Sequence, residues 1–341
     1  MSESPKYLLT LSVQLVFLLL LVACSSPKIQ AKADDFSSPA RLTGESVVMS
    51  DGYVLPLKTW PAKDKPVAVV LALHGFNDYS NAFAASGPVF ADNAITTYAI
   101  DQRGFGRTDQ RGIWPGLDTL QSDLVATVRL LCEKHAGLPV FVLGHSMGGG
   151  LILSAVQQLE QTCVQGVILS APAVWGWHSM PWWQTAPLKM LAHIAPGATL
   201  TGEGLEIKPS DNIELLRAQG RDPLVIRETR VDSIYGLTNL MEAALLNSPA
   251  LTMPALILYG GHDEIIPPTP FCEMLSHLPD RRESQWRLVI YPDGYHMLSR
   301  DLQGEVVVRD MVAWLHDRKA ALPSGDEVVL DRPQLPELCN D

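Results

Sequence analysis

Six short apolar runs punctuate the chain: "VAVVLALHG", "AITTYAID", "PVFVLGHS", "VQGVILSAP", "PALILYGGHD" and "WRLVIYPDG". None alternates with polar residues, so each suits a strand buried on both faces. Between them lie stretches with helical spacing at Asn81–Asp92, Leu117–Glu133, Gly148–Gln161, Thr269–Leu278 and Glu305–Arg318. Ahead of the first run, "SVVMSDGYVLPLKTW" alternates around Asp51-Gly52, a hairpin signal. Strands alternating with helices imply an α/β fold, a mostly parallel sheet with helices on both faces. In such sheets reactive groups gather at the carboxyl ends of the strands.

One interval breaks the rhythm. From about 174 to 247 there is no buried-strand run, while Trp175, Trp177, Trp182 and Trp183 cluster with prolines. Counting the hairpin as two strands, this is an insertion after the sixth strand, placed to cap the strand ends. The expected organisation is a domain over 44–321 with this helical cap, preceded by a Ser/Pro-rich linker at 24–43. A polar, proline-broken tail at 322–341 follows, expected to be loosely ordered.

The N-terminus follows a different logic. "MSESPK" carries a single Lys6, and the next residues to Ala23 are almost unbroken apolar sequence, the layout of a signal peptide over 1–23. The run ends in "LVAC", which resembles the lipobox of bacterial lipoproteins; that resemblance implies lipid modification of Cys24. Ser25 resembles the residue of lipoproteins sorted to the outer membrane. A retained membrane helix and a chance cysteine are the competing readings. Lipoprotein or retained helix, the expectation is an exported, membrane-anchored protein. Of the remaining cysteines, Cys132 and Cys163 lie in apolar surroundings and read as buried free thiols, although an oxidising compartment permits pairing.

Composition excludes some partners. With 47% hydrophobic and 18% charged residues in 341, the chain is globular, and a net charge of −11 without basic runs argues against nucleic acid.

The chemistry centres on "GHSMG", Gly144 to Gly148, directly after one buried strand and before a helix. That context matches G-x-S-x-G, a sharp turn exposing Ser146 as nucleophile; the bland alternative is a structural turn. A serine hydroxyl needs a base, and the base needs an orienting acid. "LILYGGHDEIIP" puts Asp263 after a buried strand, and "LVIYPDGYHML" puts His296 after the next. Both emerge at the rim that carries Ser146. Among the other histidines, His145 lies on the wrong side of the turn to reach the hydroxyl, His262 adjoins the acid, and His74 opens the "HG" loop. Asp293 is too near His296 to approach from a neighbouring strand, and Glu264 lies one step beyond Asp263. Met147 N–H and Phe76 N–H are the expected oxyanion donors.

With these residues assembled, the chain resembles α/β-hydrolases of the monoacylglycerol lipase and lysophospholipase group, catalogued with serine aminopeptidase-like hydrolases. The resemblance spans roughly Ser46 to Leu315 and rests on "LALHGFNDYS", "YAIDQRGFGRTD", "GHSMGGG", "LSAPA", "YGGHDEIIP" and "YPDGYHML". It implies Ser146, Asp263 and His296 as triad, Phe76 and Met147 as oxyanion donors, and ester hydrolysis without metal or organic cofactor. It also implies that Asp101, Arg103, Gly104 and Gly106 form a structural turn; Thr108 stands where such segments often carry serine. The expected substrate is a small ester or lipid, its acyl chain entering beneath the tryptophan-rich cap. Three readings compete: an aminopeptidase using Glu203 or Glu206 for a substrate amine, a small-ester or polyester hydrolase, and an inactive lipid-binding lipoprotein.

Overall fold

The computed structural model describes residues 26–31, 38–202, 204, 206–280, 285–328 and 339. The segment 1–25, on which the expected signal peptide and Cys24 fall, lies outside the described residues, as does Glu203. Among the described residues no helix is long and apolar enough to cross a membrane.

Among the described residues eleven strands form. β1 (Arg41–Leu42), β2 (Ser46–Val48) and β3 (Val54–Trp60) make an antiparallel edge, with the expected hairpin turning at Asp51 and Gly52. Gly52 adopts φ 78°, and Asp51 accepts the Tyr53 N–H at 3.1 Å. β4 (Ala68–Leu73), β5 (Ile95–Ile100), β6 (Val140–His145), β7 (Val164–Ser170), β10 (Ala255–Gly260) and β11 (Trp286–Tyr291) are mutually parallel. The nine-stranded order is β1-β2-β3-β5-β4-β6-β7-β10-β11. Because β1 adds a strand, the insertion follows the seventh strand rather than the sixth.

Side chains of the parallel strands alternate between two cores. Val69, Leu71 and Leu73 of β4 face one, Ala68, Val70 and Ala72 the other. The first core is covered by α2 (Leu117–Lys134), α3 (Met147–Ser154) and α8 (Pro268–His277), the second by α1 (Ser86–Asp92) and α9 (Gly304–His316). Each fully buried leucine or isoleucine here contributes about 1.5–3 kcal/mol. The helix expected over Gly148–Gln161 is split: α3 ends at Ser154 and a short α4 (Val156–Leu159) follows.

The inserted segment contains α5 (Trp182–Ile194), β8 (Thr199–Leu200), α6 (Ile213–Arg221), β9 (Thr229–Arg230) and α7 (Val231–Asn247); β8 and β9 pair antiparallel. The boundary expected at 247 is too late. Leu240, Met241, Ala244 and Leu245 of α7 are buried in the first core, so the last helix belongs to the body and only the part before Val231 overhangs. Gly150 permits that packing, since a Cβ there would lie 2.8 Å from Leu240 and 2.5 Å from the Ala173 carbonyl.

Three further expectations change. Cys132 and Cys163 are not free thiols but form a disulfide, and Cys272 pairs with Cys339. Both pairs are brought together by tertiary structure at separations of 31 and 67 residues, which no local spacing announces. The start of the tail is docked: Glu327 takes the Arg287 guanidinium in a two-point contact, and Val328 N–H donates to Leu288. Within the expected linker, residues 28–30 are also docked, with Gln30 buried.

The Asp101 segment is a structural turn, as the resemblance implied. Asp101 accepts the N–H groups of Ser80 and Arg107 at 3.0 Å each and the Arg107 Nε at 2.8 Å. Arg103 is held between Asp51 and Asp123 and stacks on Tyr53 at 3.9 Å.

Candidate active site

β4, β6, β10 and β11 end at one rim, followed by Phe76, Ser146, Asp263 and His296 respectively. Parallel register makes this unavoidable once the four runs become strands of one sheet.

Ser146 has φ 51° and ψ −115°, a conformation that costs a non-glycine residue about 1–3 kcal/mol. Its surroundings explain why it persists. A Cβ on Gly144 would lie 2.4 Å from the Gly148 carbonyl, and one on Gly148 would lie 2.3 Å from the Leu73 oxygen. Only glycine lets β6 turn directly into α3. The first helical N–H groups, Met147 among them, have no partner one turn earlier and point towards the serine.

The second expected donor arrives from β4. A Cβ on Gly75 would stand 3.2 Å from Ser146 Cβ, so the loop carrying Phe76 passes directly over the elbow. His74 fixes that loop. Its Nε2 accepts the Gln102 N–H at 2.9 Å, which leaves Nδ1 to donate to the Gly75 carbonyl at 2.8 Å. The ring is therefore neutral, and burial holds its pKa below the usual histidine value.

Asp263 and His296 meet as expected. Asp263 Oδ2 lies 2.8 Å from His296 Nδ1, and Oδ1 accepts the N–H groups of Ile265 and Ile266 at 2.9 Å each. One oxygen is locked by backbone while the other orients the imidazole. No hydrogen bond joins the Ser146 hydroxyl to His296; free enzymes often close that contact only around substrate. The ring of His145, the residue before Ser146, lies 5.0 Å from that of His296. Burial, then the nearby His296 and Arg300, hold His145 well below the ordinary histidine pKa. A neutral His145 adds no positive charge beside His296.

Several positioning groups were not read from sequence. Asp78, two residues after Phe76, takes Arg300 at 2.8 Å. Asp301 accepts the Tyr295 N–H at 2.8 Å and the Ser210 hydroxyl at 2.6 Å, and burial raises its pKa. Glu264 accepts the Lys208 N–H at 2.7 Å, so it is committed to the overhanging segment while Asp263 holds the His296 ring. On the other side Asn77 accepts the Ile226 N–H at 3.0 Å, and Tyr79 donates to Asp222 at 2.7 Å. The overhanging segment is thus laced to all three loops at the rim. Asp78 lay inside the quoted "HGFNDYS"; nothing local marked the others.

The tryptophans depart from expectation. Trp182 and Trp183 are 79% and 60% exposed, pointing outward, while Trp177 donates to Asn239 at 2.8 Å and packs on Tyr235.

A serine on a strained strand-to-helix elbow, with a carboxylate-bound histidine at the same rim of a parallel sheet, defines an α/β hydrolase. The model of one such family, described as serine aminopeptidase, S33, matches residues 64–303. The chain belongs to that family. It is 27% identical over 267 residues to a monoacylglycerol lipase of Mycolicibacterium smegmatis, covering 77% of this chain and 93% of the relative. A phospholipase of Bacillus subtilis is 28% identical over 214 residues, covering 62% and 81%. A soluble variant of Saccharomyces cerevisiae monoglyceride lipase, solved with a substrate analogue, superposes with a TM-score of 0.66 at 21% identity, covering 86% and 98%; that likeness bears on the fold.

Proposed function

We propose that this protein is a serine hydrolase of carboxylic esters acting on monoacylglycerol-like lipids at a bacterial cell-envelope membrane. The observation that carries the chemistry is the clamped Asp263–His296 pair beside the Ser146 elbow. His296 removes the Ser146 proton as the hydroxyl attacks the ester carbonyl, while Asp263 holds the ring and stabilises its charge. The N–H groups of Phe76 and Met147 receive the oxyanion; one such donor is worth about 2.7–4 kcal/mol. His296 then protonates the leaving alcohol, and water repeats the sequence to release the acid.

The named relatives support a lipid ester. Two disulfides support an oxidising compartment, consistent with export and attachment through Cys24. The aminopeptidase reading loses support: Glu206 is exposed in a cap loop, a poor place to hold a buried amine.

The test is labelling by a fluorophosphonate, lost in Ser146→Ala, together with turnover of monoacylglycerol, lysophospholipid, nitrophenyl esters and aminoacyl amides. Labelling that survives Ser146→Ala overturns the mechanism, and preference for the amides overturns the substrate class.

A further inference from the structure

Beyond the rim, the segment following Cys24 joins a charged cleft. Lys28 N–H donates to Asp232 Oδ2 at 3.2 Å, and the same carboxylate takes Arg230 through Nε at 2.9 Å and Nη2 at 2.5 Å. Two residues on, Gln30 N–H donates to the Trp114 carbonyl at 3.0 Å and its amide to the Ile113 carbonyl at 2.9 Å. The loop so gripped also carries Arg111. Arg111, Arg227, Glu228 and Arg230 line a cleft of about 790 Å³.

The charge of this face opposes that of the molecule. Among the described residues, Arg111, Arg227 and Arg230 line the cleft beside a single carboxylate, Glu228, with Lys28 and Asp232 adjoining, in a chain of net charge −11. Asp232 is already taken by Arg230. Arg111 and Arg227 donate only to the carbonyls of Gly106 and Gly220, and neither forms an ion pair among the described residues. Exposed Ile29 and Leu200 flank the cations, and apolar and cationic groups together suit a headgroup layer.

We propose that this face is a docking surface for an anionic bilayer, held there by the short N-terminal strap. The proposal rests on the reading of Cys24 as the attachment point. Three residues lie between Cys24 and Lys28, so four steps of extended chain span at most about 14 Å between anchor and docked strap. A tether this short cannot present an arbitrary face. It fixes one side of the domain close to the headgroups, where cations act over roughly 8 Å at physiological salt. Tethering also makes the bilayer the locally concentrated anion, ahead of any free phosphate. The cleft wall touches the active site through Ile226, whose N–H donates to Asn77 beside Phe76, so docking turns the oxyanion loop's side of the molecule to the lipid.

The test uses the full-length exported protein in phosphatidylcholine vesicles, with or without phosphatidylglycerol, followed by amide hydrogen exchange. Protection over 26–31, 110–113 and 225–230, stronger on the anionic vesicles, is the expected result. A Gly-Ser insertion between Ser26 and Pro27 keeps the anchor and weakens that protection. Arg111→Gln with Arg227→Gln lowers turnover of ester carried in anionic vesicles about tenfold or more, the weight of two cations at such a surface. It leaves turnover of a soluble ester unchanged. Anchored protein whose protection is confined to α5, with the strap exchanging as in solution, overturns the docking surface while the anchor stands. Protein that carries no lipid and floats with no vesicle overturns the attachment reading and the proposal with it.

Discussion

Asp78 Oδ2 and Arg300 Nη1 lie 2.8 Å apart, both side chains nearly closed to solvent, and tie the loop that carries Phe76 to the turn after His296. Gln219 of α6 reaches the same oxygen at 3.3 Å. Removing one partner of a buried pair leaves an uncompensated charge, which costs about 3–5 kcal/mol. Asp78→Asn is therefore expected to lose about 3 kcal/mol in urea unfolding and to lower kcat more than it raises KM. The double replacement Asp78→Leu with Arg300→Met removes both charges and recovers part of the stability. Equal stability of Asp78→Asn and the wild type would show that the pair holds nothing in place.

Asp263→Asn tests the orienting role separately from stability. Two backbone N–H groups fix Oδ1, so the amide NH₂ is forced towards His296 Nδ1, where a carboxylate oxygen stood. The ring then keeps its proton on the wrong nitrogen, and kcat is expected to fall by about 10⁴ with little change in melting temperature. Steady-state kinetics beside a thermal melt decide it; a loss under tenfold sinks the assignment of Asp263.

The rim was legible because each of its residues closes a strand that announced itself. Ser146, Asp263, His296 and Phe76 could be placed together from four apolar runs and the rule that parallel strands end on one side. What was not legible depends on the packing of elements far apart in sequence. Cys272 meets Cys339 across 67 residues, and Lys28 meets Asp232 across 204. α7 is an intermediate case. Its apolar Leu240, Met241, Ala244 and Leu245 repeat at helical spacing, a core signal masked by the missing strand run around it. The outward Trp182 and Trp183 mislead for the opposite reason, since aromatic residues near a site need not face it.

Gly148→Ala probes the elbow's geometry. The added Cβ would approach the Leu73 carbonyl oxygen to 2.3 Å, a contact with backbone that no rotamer relieves. β4 and α3 must separate, so the variant is expected to lose several kcal/mol or to fail to accumulate folded. Gly202→Ala, where nothing lies within 4 Å, is the matched control and should melt with the wild type.

Acid should destabilise the fold through His74. In the folded state its Nε2 accepts a backbone N–H, so protonation means breaking that bond in a fully buried site. The folded pKa is depressed while the unfolded ring titrates near 6.5. Below that pH the unfolded chain binds a proton that the native ring does not, so stability falls as pH falls. The slope reaches about 1.4 kcal/mol per pH unit for each such histidine, until the folded pKa is reached. His145 adds in the same direction. Urea titrations between pH 7 and 5 should show the decline, and His74→Gln should flatten it. A stability independent of pH over that range contradicts a neutral buried ring.

Reduction should act on both disulfides, and unequally. Cross-links closing 31 and 67 residues limit the unfolded chain by about 3.7 and 4.4 kcal/mol in the chain-entropy picture. The Cys132–Cys163 bridge joins the end of α2 to the start of β7, within a core that packs without it. Cys272–Cys339 instead ties Cys339 to α8, so its loss removes a native tether as well as loosening the unfolded reference. Cys132→Ser with Cys163→Ser should lower the melting temperature and leave proteolysis of the tail unchanged. Cys272→Ser with Cys339→Ser should expose the tail to trypsin at native temperatures while Ser146 still labels. If both pairs respond alike in proteolysis, the tail is held by contacts other than its cysteine.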